Sequence, residues 1–114
     1  MDSILTSVKK LLGIAEEYTQ FDTDIILHIN SVFATLAQIG AGPVGGFSIK
    51  DKTAVWDDFT NGNLDIEMVK SYVYLKVRLI FDPPQSSAVM ESMNRMISEF
   101  EFRISVAVDP GKVS

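Results

Sequence analysis

Three places in the chain hold side chains whose types and spacing could do chemistry. His28 is the single histidine, and Asp24 lies one helical turn before it. An Asp–His pair at i, i+4 could orient an imidazole or hold half a metal site. With no second histidine and no cysteine to complete a ligand set, His28 reads as a surface or interface residue near a helix start. Asp57 and Asp58, with Asp51 nearby, could bind a divalent cation or share an acid–base task. They lack the sixth-position glycine and closing glutamate of a calcium loop, so a solvated turn is the simpler reading. GAGPVGG (40–46) has the composition of a phosphate loop. It lacks the terminal GK[ST], and the segment before it reads as helix, not strand. No nucleophile elbow and no zinc-protease motif is present. No catalytic, metal or cofactor-binding residue is assigned, and the chain is read as no enzyme.

The elements around these residues are helical. Ile4, Leu5, Val8, Leu11 and Leu12 recur at helical spacing and predict a first helix over 2–12, with Gly13 as its C′ residue. Lys9 and Lys10 near its end suit the dipole. A second helix over 23–39 carries Ile25, Ile29, Val32, Phe33 and Leu36, is apolar nearly all round, and stops at Gly40. Asp22 is its expected N-cap, with Phe21 and Ile26 as a staple. A third helix over 65–81 has Asp65 as N-cap, Leu64 and Val69 as staple, and a Val69–Val73–Val77–Ile80 stripe. A fourth over 86–105 repeats Val89, Met93, Met96, Ile97, Phe100 and Ile104. Met93 and Met96 read as core, whereas Met90 lies off the stripe and suits a contact between subunits. Lys70, Lys76, Arg78, Arg95 and Arg103 are offset by Glu67, Glu91, Glu99 and Glu101, which predicts salt-laced helix faces.

Two stretches are not helical. Residues 41–63 are rich in Gly and Pro and read as a long ordered insert with room for a small β-hairpin around 50–53. In KVRLIFDPPQSS, Asp82 precedes Pro83, so the third helix must end there. Asp82 would also cap the fourth helix, with Pro83 at N1 and Gln85 at N3, moving that helix's start to near Pro83. Asp82, Pro83 and Pro84 then form a stiff corner.

The fold class is therefore all-α: an antiparallel bundle of about four helices in one domain over 1–106, followed by a short tail, 107–114. At 114 residues a second domain has no room. The net charge of −5 argues against a binder that grips nucleic-acid phosphates. No cysteine is available for a disulfide, and no window has the length of a membrane span.

Helix order plus two blocks of sequence carry a resemblance. ILTSVKKLLGI followed by FDTDIILHINSVFATLAQIG, and VKSYVYLKVRLIFDPPQSSAVMESMNRMISEFEFRI, resemble the opening and the paired C-terminal helices of small head–tail connector proteins of tailed bacteriophages. The likeness is to those of phages and prophages of Gram-positive gut bacteria. It implies a structural virion protein made in the host cytoplasm and placed in the neck. Such adaptors assemble with themselves as a ring, typically of twelve copies, between the portal protein and a stopper or tail-completion protein. DNA passes through the channel without sequence-specific binding, and neither a cofactor nor a membrane is implied. By position, residues 41–63 and 106–114 would reach neighbours. The interface candidates are Phe47, Ile49, Trp56, Phe59, Met90, Val106, Val108 and Pro110, with Phe47, Trp56 and Phe59 anchoring the insert either to its own core or to a neighbour. Two other classes stay open: a small mobile-element regulator binding a host protein through a helical groove, and an enzyme with carboxylates converging at Asp51, Asp57 and Asp58.

Overall fold

The computed structural model describes residues 3–60 and 65–108. They form five helices: α1 (Ile4–Leu11), α2 (Asp22–Ile39), α3 (Trp56–Thr60), α4 (Ile66–Phe81) and α5 (Ser87–Val108). The fold is all-α, as the periodicity predicts. Ile25, Ile29, Val32, Phe33 and Leu36 of α2 pack against Val69, Tyr72, Val73 and Val77 of α4. Ile4, Leu5 and Val8 of α1 close one side of this pair, and Met93, Ile97 and Ile104 of α5 close the other. The result is a slab of 46 × 35 × 20 Å. Its thin dimension is about two helix diameters.

Local chemistry sets most boundaries. Ser3 caps α1 by accepting from the Thr6 amide at 3.2 Å. Asp65 caps α4, accepting from Glu67 and Met68. The Leu64 half of the expected staple lies outside the described residues. Gly40 ends α2 in the left-handed conformation at φ 99°, and Ala41 donates back to Leu36 at 2.9 Å, the Schellman pattern.

Three expectations change. Asp22 does not cap α2; the helix starts at Asp22 itself, and Phe21 in the cap position makes no side-chain bond. The Asp22 carboxylate meets the buried Lys9 ammonium instead, at 2.8 Å, and a charge-assisted contact outweighs one bond to a backbone amide. No hairpin forms among the described residues of the insert. Its only β pairing among the described residues is an isolated bridge between Ser3 and Val55, after which the chain turns into α3. Third, Asp82 ends α4 in an extended conformation (φ −149°, ψ 70°), as a residue before proline should, but it does not cap α5. Pro83 is itself followed by a proline and is barred from helical backbone by the same clash, so it cannot be N1. Helix α5 starts at Ser87, and Ser86 Oγ accepts from the Val89 amide at 3.3 Å. Its far end runs to Val108.

Candidate functional site

Of the three carboxylates that could have formed a catalytic centre, two are occupied locally. Asp51 Oδ1 accepts from the Thr53 amide and hydroxyl at 2.9 and 2.5 Å. Those bonds hold its carboxyl below the usual carboxylate range. Asp58 reaches back to the Val55 amide at 3.0 Å, the acidic half of a capping box on α3. Asp57 points to solvent on the same short helix. His28 is half-buried beside Phe81, with ring centroids 6.4 Å apart, and Asp24 is exposed. Among the described residues, no cluster of three or more His, Cys, Asp or Glu side chains could hold a metal ion. No described helix is long and apolar enough to cross a membrane.

What the polar side chains do build is a set of braces. Lys9 is buried, and its Nζ donates to the carbonyls of Glu16 and Tyr18 at 2.9 and 2.8 Å while pairing with Asp22. One ammonium thus ties the α1–α2 link to the start of α2. Asn30 grips the insert: its Nδ2 donates to the Ile49 carbonyl at 3.0 Å, and its Oδ1 accepts from the Ile49 amide at 2.7 Å. On α4, the fully buried Tyr72 donates to Glu101 of α5 at 2.7 Å. Burial, then the acceptor carboxylate, push the Tyr72 phenol far above its ordinary value. The sequence holds a signal for Lys9 that dipole reasoning passed over. Leu5, Val8 and Leu12 are its neighbours at i−4, i−1 and i+3, so Lys9 lies within the apolar stripe. The Asn30–Ile49 grip has no such signal.

The interface candidates divide by burial. Trp56, Phe59 and Ile49 lie in the chain's own core, and Phe47 packs against that core. Phe33 gathers them, with centroids 4.8 Å from Phe59 and 5.0 Å from Phe47. The Trp56 indole donates to Ser7 Oγ at 3.2 Å, locking α3 to α1. Of the two anchoring roles for Phe47, Trp56 and Phe59, these rings fill the intramolecular one. Met90 and Val106 are half-buried on α5, and Val108 packs on the core near Gly40. Pro110 lies outside the described residues. Met96 corrects its core assignment: it is 44% exposed, whereas Met93 is buried. Helix α5 lies against one side of the bundle only, so the edge of its stripe stays open.

That edge is one wall of a groove of about 890 Å³. Helix α4 provides the floor through Ser71, Tyr74 and Leu75, α1 the second wall through Leu11, and α5 the first through Met96 and Phe100. Leu11 is 51% exposed. The rim is charged, with Lys10 on α1 and the Glu67–Lys70 pair at 3.6 Å on α4. Elsewhere, Arg95–Glu91 and Arg103–Glu99 pair along α5, the salt-laced face that the spacing predicts. The surface therefore offers apolar contact area and paired charge, which suits binding protein.

Residues 4–111 match the family model described as phage connector protein. The chain belongs to the phage connector protein family. The match covers both blocks that carry the resemblance, and every helix. No curated protein and no solved structure matches the chain. The connector family is structural, not a family of enzymes, and its members work by contact with other head and tail proteins. For this connector the groove between α1, α4 and α5 is the candidate surface for such contact.

Proposed function

We propose that this connector is a head–tail adaptor. Its copies form a ring beneath the portal in the virion neck, lengthen the DNA channel, and present a platform to the next head-completion or stopper protein. The family match over residues 4–111 carries this reading. Two further observations support it. The net charge of −5 suits a channel wall that must let DNA slide, because basic residues on a lumen would capture phosphates. The groove leaves the floor of α4 open in the single chain, as expected of a surface that a neighbour covers. Val44 of the insert is fully exposed and is available to reach an adjacent protein.

Native mass spectrometry of the purified chain, alone and mixed with the portal of its own phage, tests the proposal. The expected result is a discrete complex of portal with a ring of connector copies. A chain that stays monomeric and ignores portal at every concentration would overturn it.

A further inference from the structure

The two broad faces of the slab differ in kind. On one, the groove lies open between α1 and α5, floored by the side of α4 turned away from its buried Val69–Val73–Val77 face. The other face is the outer side of α2. Ile25, Ile29, Val32 and Leu36 mark the core side of that helix. About half a turn round, Asp24, Leu27, Ser31 and Ala34 are all exposed. Leu27 is the one large apolar side chain among them, 65% exposed. One face thus carries a groove with exposed apolar side chains, Leu11 and Met96, on its walls, and the other carries the exposed apolar side chain of Leu27.

Charge separates the possible pairings. Asp24, one turn before Leu27, has no ionic partner among the described residues, and neither has Lys10 on the groove's α1 wall. Groove against groove would bring together two walls that each carry Lys10 and leave two hollows facing each other. Ridge against ridge would bring together two faces that each carry the unpaired Asp24. Ridge into groove sets Leu27 between the apolar walls at Leu11 and Met96 and lets Asp24 meet Lys10. Unlike surfaces on opposite faces give a heterologous contact, which propagates from copy to copy and closes into a ring where the rotation per step allows.

We infer that the α1/α4/α5 groove of one copy receives the outer face of α2, centred on Leu27, of the next copy. This rests on the ring reading and assigns its interface.

The absence of native cysteine makes the test direct. Ser31→Cys marks the ridge, and Ser71→Cys marks the groove. Each single variant and the double variant of the full chain are treated with a short bismaleimide, alone and with portal, then run on a denaturing gel. A ladder of multimers from the double variant, with neither single variant cross-linking to itself, is the expected result. Dimers from a single-cysteine variant would overturn the proposal, because only a contact of like with like brings identical positions together. Rings seen by mass without any ladder would overturn the interface and leave the ring reading intact. Monomers throughout would overturn both. Charge exchange gives a second readout that does not depend on the cross-linker. Asp24→Lys and Lys10→Asp should each weaken self-association by about tenfold in sedimentation, and the double exchange should restore it. Failure of the double exchange to recover would count against the pairing.

Discussion

Replacing Lys9 with methionine keeps the unbranched apolar stem, one atom shorter, and removes the charge. In the folded protein the ammonium is buried and satisfies two backbone carbonyls and one carboxylate, all within 3 Å. Removing one partner of a buried ion pair costs about 3–5 kcal/mol, because the other charge is left behind. Asp22 is only partly enclosed, with a quarter of its side chain in contact with water. Water therefore recovers part of the loss, and the methionine stem keeps its packing, so a cost of about 3 kcal/mol is expected. For a domain of this length each kcal/mol moves Tm by roughly 4 °C, which gives a fall of about 12 °C. Thermal unfolding followed by far-UV circular dichroism measures it, with Lys10→Met on the exposed neighbour as the control. That control should stay within about 0.5 kcal/mol of the parent. If Lys9→Met melts within about 2 °C of the parent, the ammonium is not the brace that its geometry describes, and the α1–α2 link is held by apolar packing alone.

Tyr72→Phe removes the bond to Glu101 and should lower stability by about 1–2 kcal/mol in urea titration. The same bond has a pH signature. The folded-state value of Tyr72 is raised, so its contribution is complete below the unfolded tyrosine value of about 10 and declines as the pH climbs past it. Tyr72→Phe should flatten that alkaline loss, and an unchanged slope would dismiss Tyr72 as its source. At the α4–α5 corner, Ser86→Ala should lower the melting midpoint by the equivalent of about 0.5–1 kcal/mol. Asp82→Ala should leave it nearly unmoved, and the reverse order would show that Asp82 caps α5 in solution. Gly42 sits at φ 94°, and a Cβ there would fall on the buried Phe59 ring. Gly42→Ala should therefore destabilise by about 2–3 kcal/mol, measured by the same melt, whereas an unchanged midpoint would mean that the ring can move aside.

The sequence by itself determined the helical class, four of the five helices, and most of their ends. The physical reason is that these signals are short-range. A period of 3.6 along Ile25, Ile29, Val32 and Leu36, a carboxylate at Asp65 two residues before an orphan amide, and a glycine at position 40 all act within one or two turns. The connector family was legible for a related reason, since the Asp82–Pro83–Pro84 junction and the helix order are written along the chain. The same local logic misled at that junction, where a capping box fitted by type but the second proline forbade the first from being helical.

Only the tertiary structure decided where the insert went and which apolar residues were left over. Trp56 and Phe59 look alike as core or contact until Phe33 and Ser7 are brought beside them from distant parts of the chain. Met93 and Met96 share one stripe, yet one is buried and the other lines a groove, because α5 is covered along one side only. Asp22 was a cap by spacing and an ion-pair partner in fact, because a lysine thirteen residues earlier in the chain folds back onto it. A groove on one face and a ridge on the other exist only once the helices have stacked, so no stretch of sequence could have shown them.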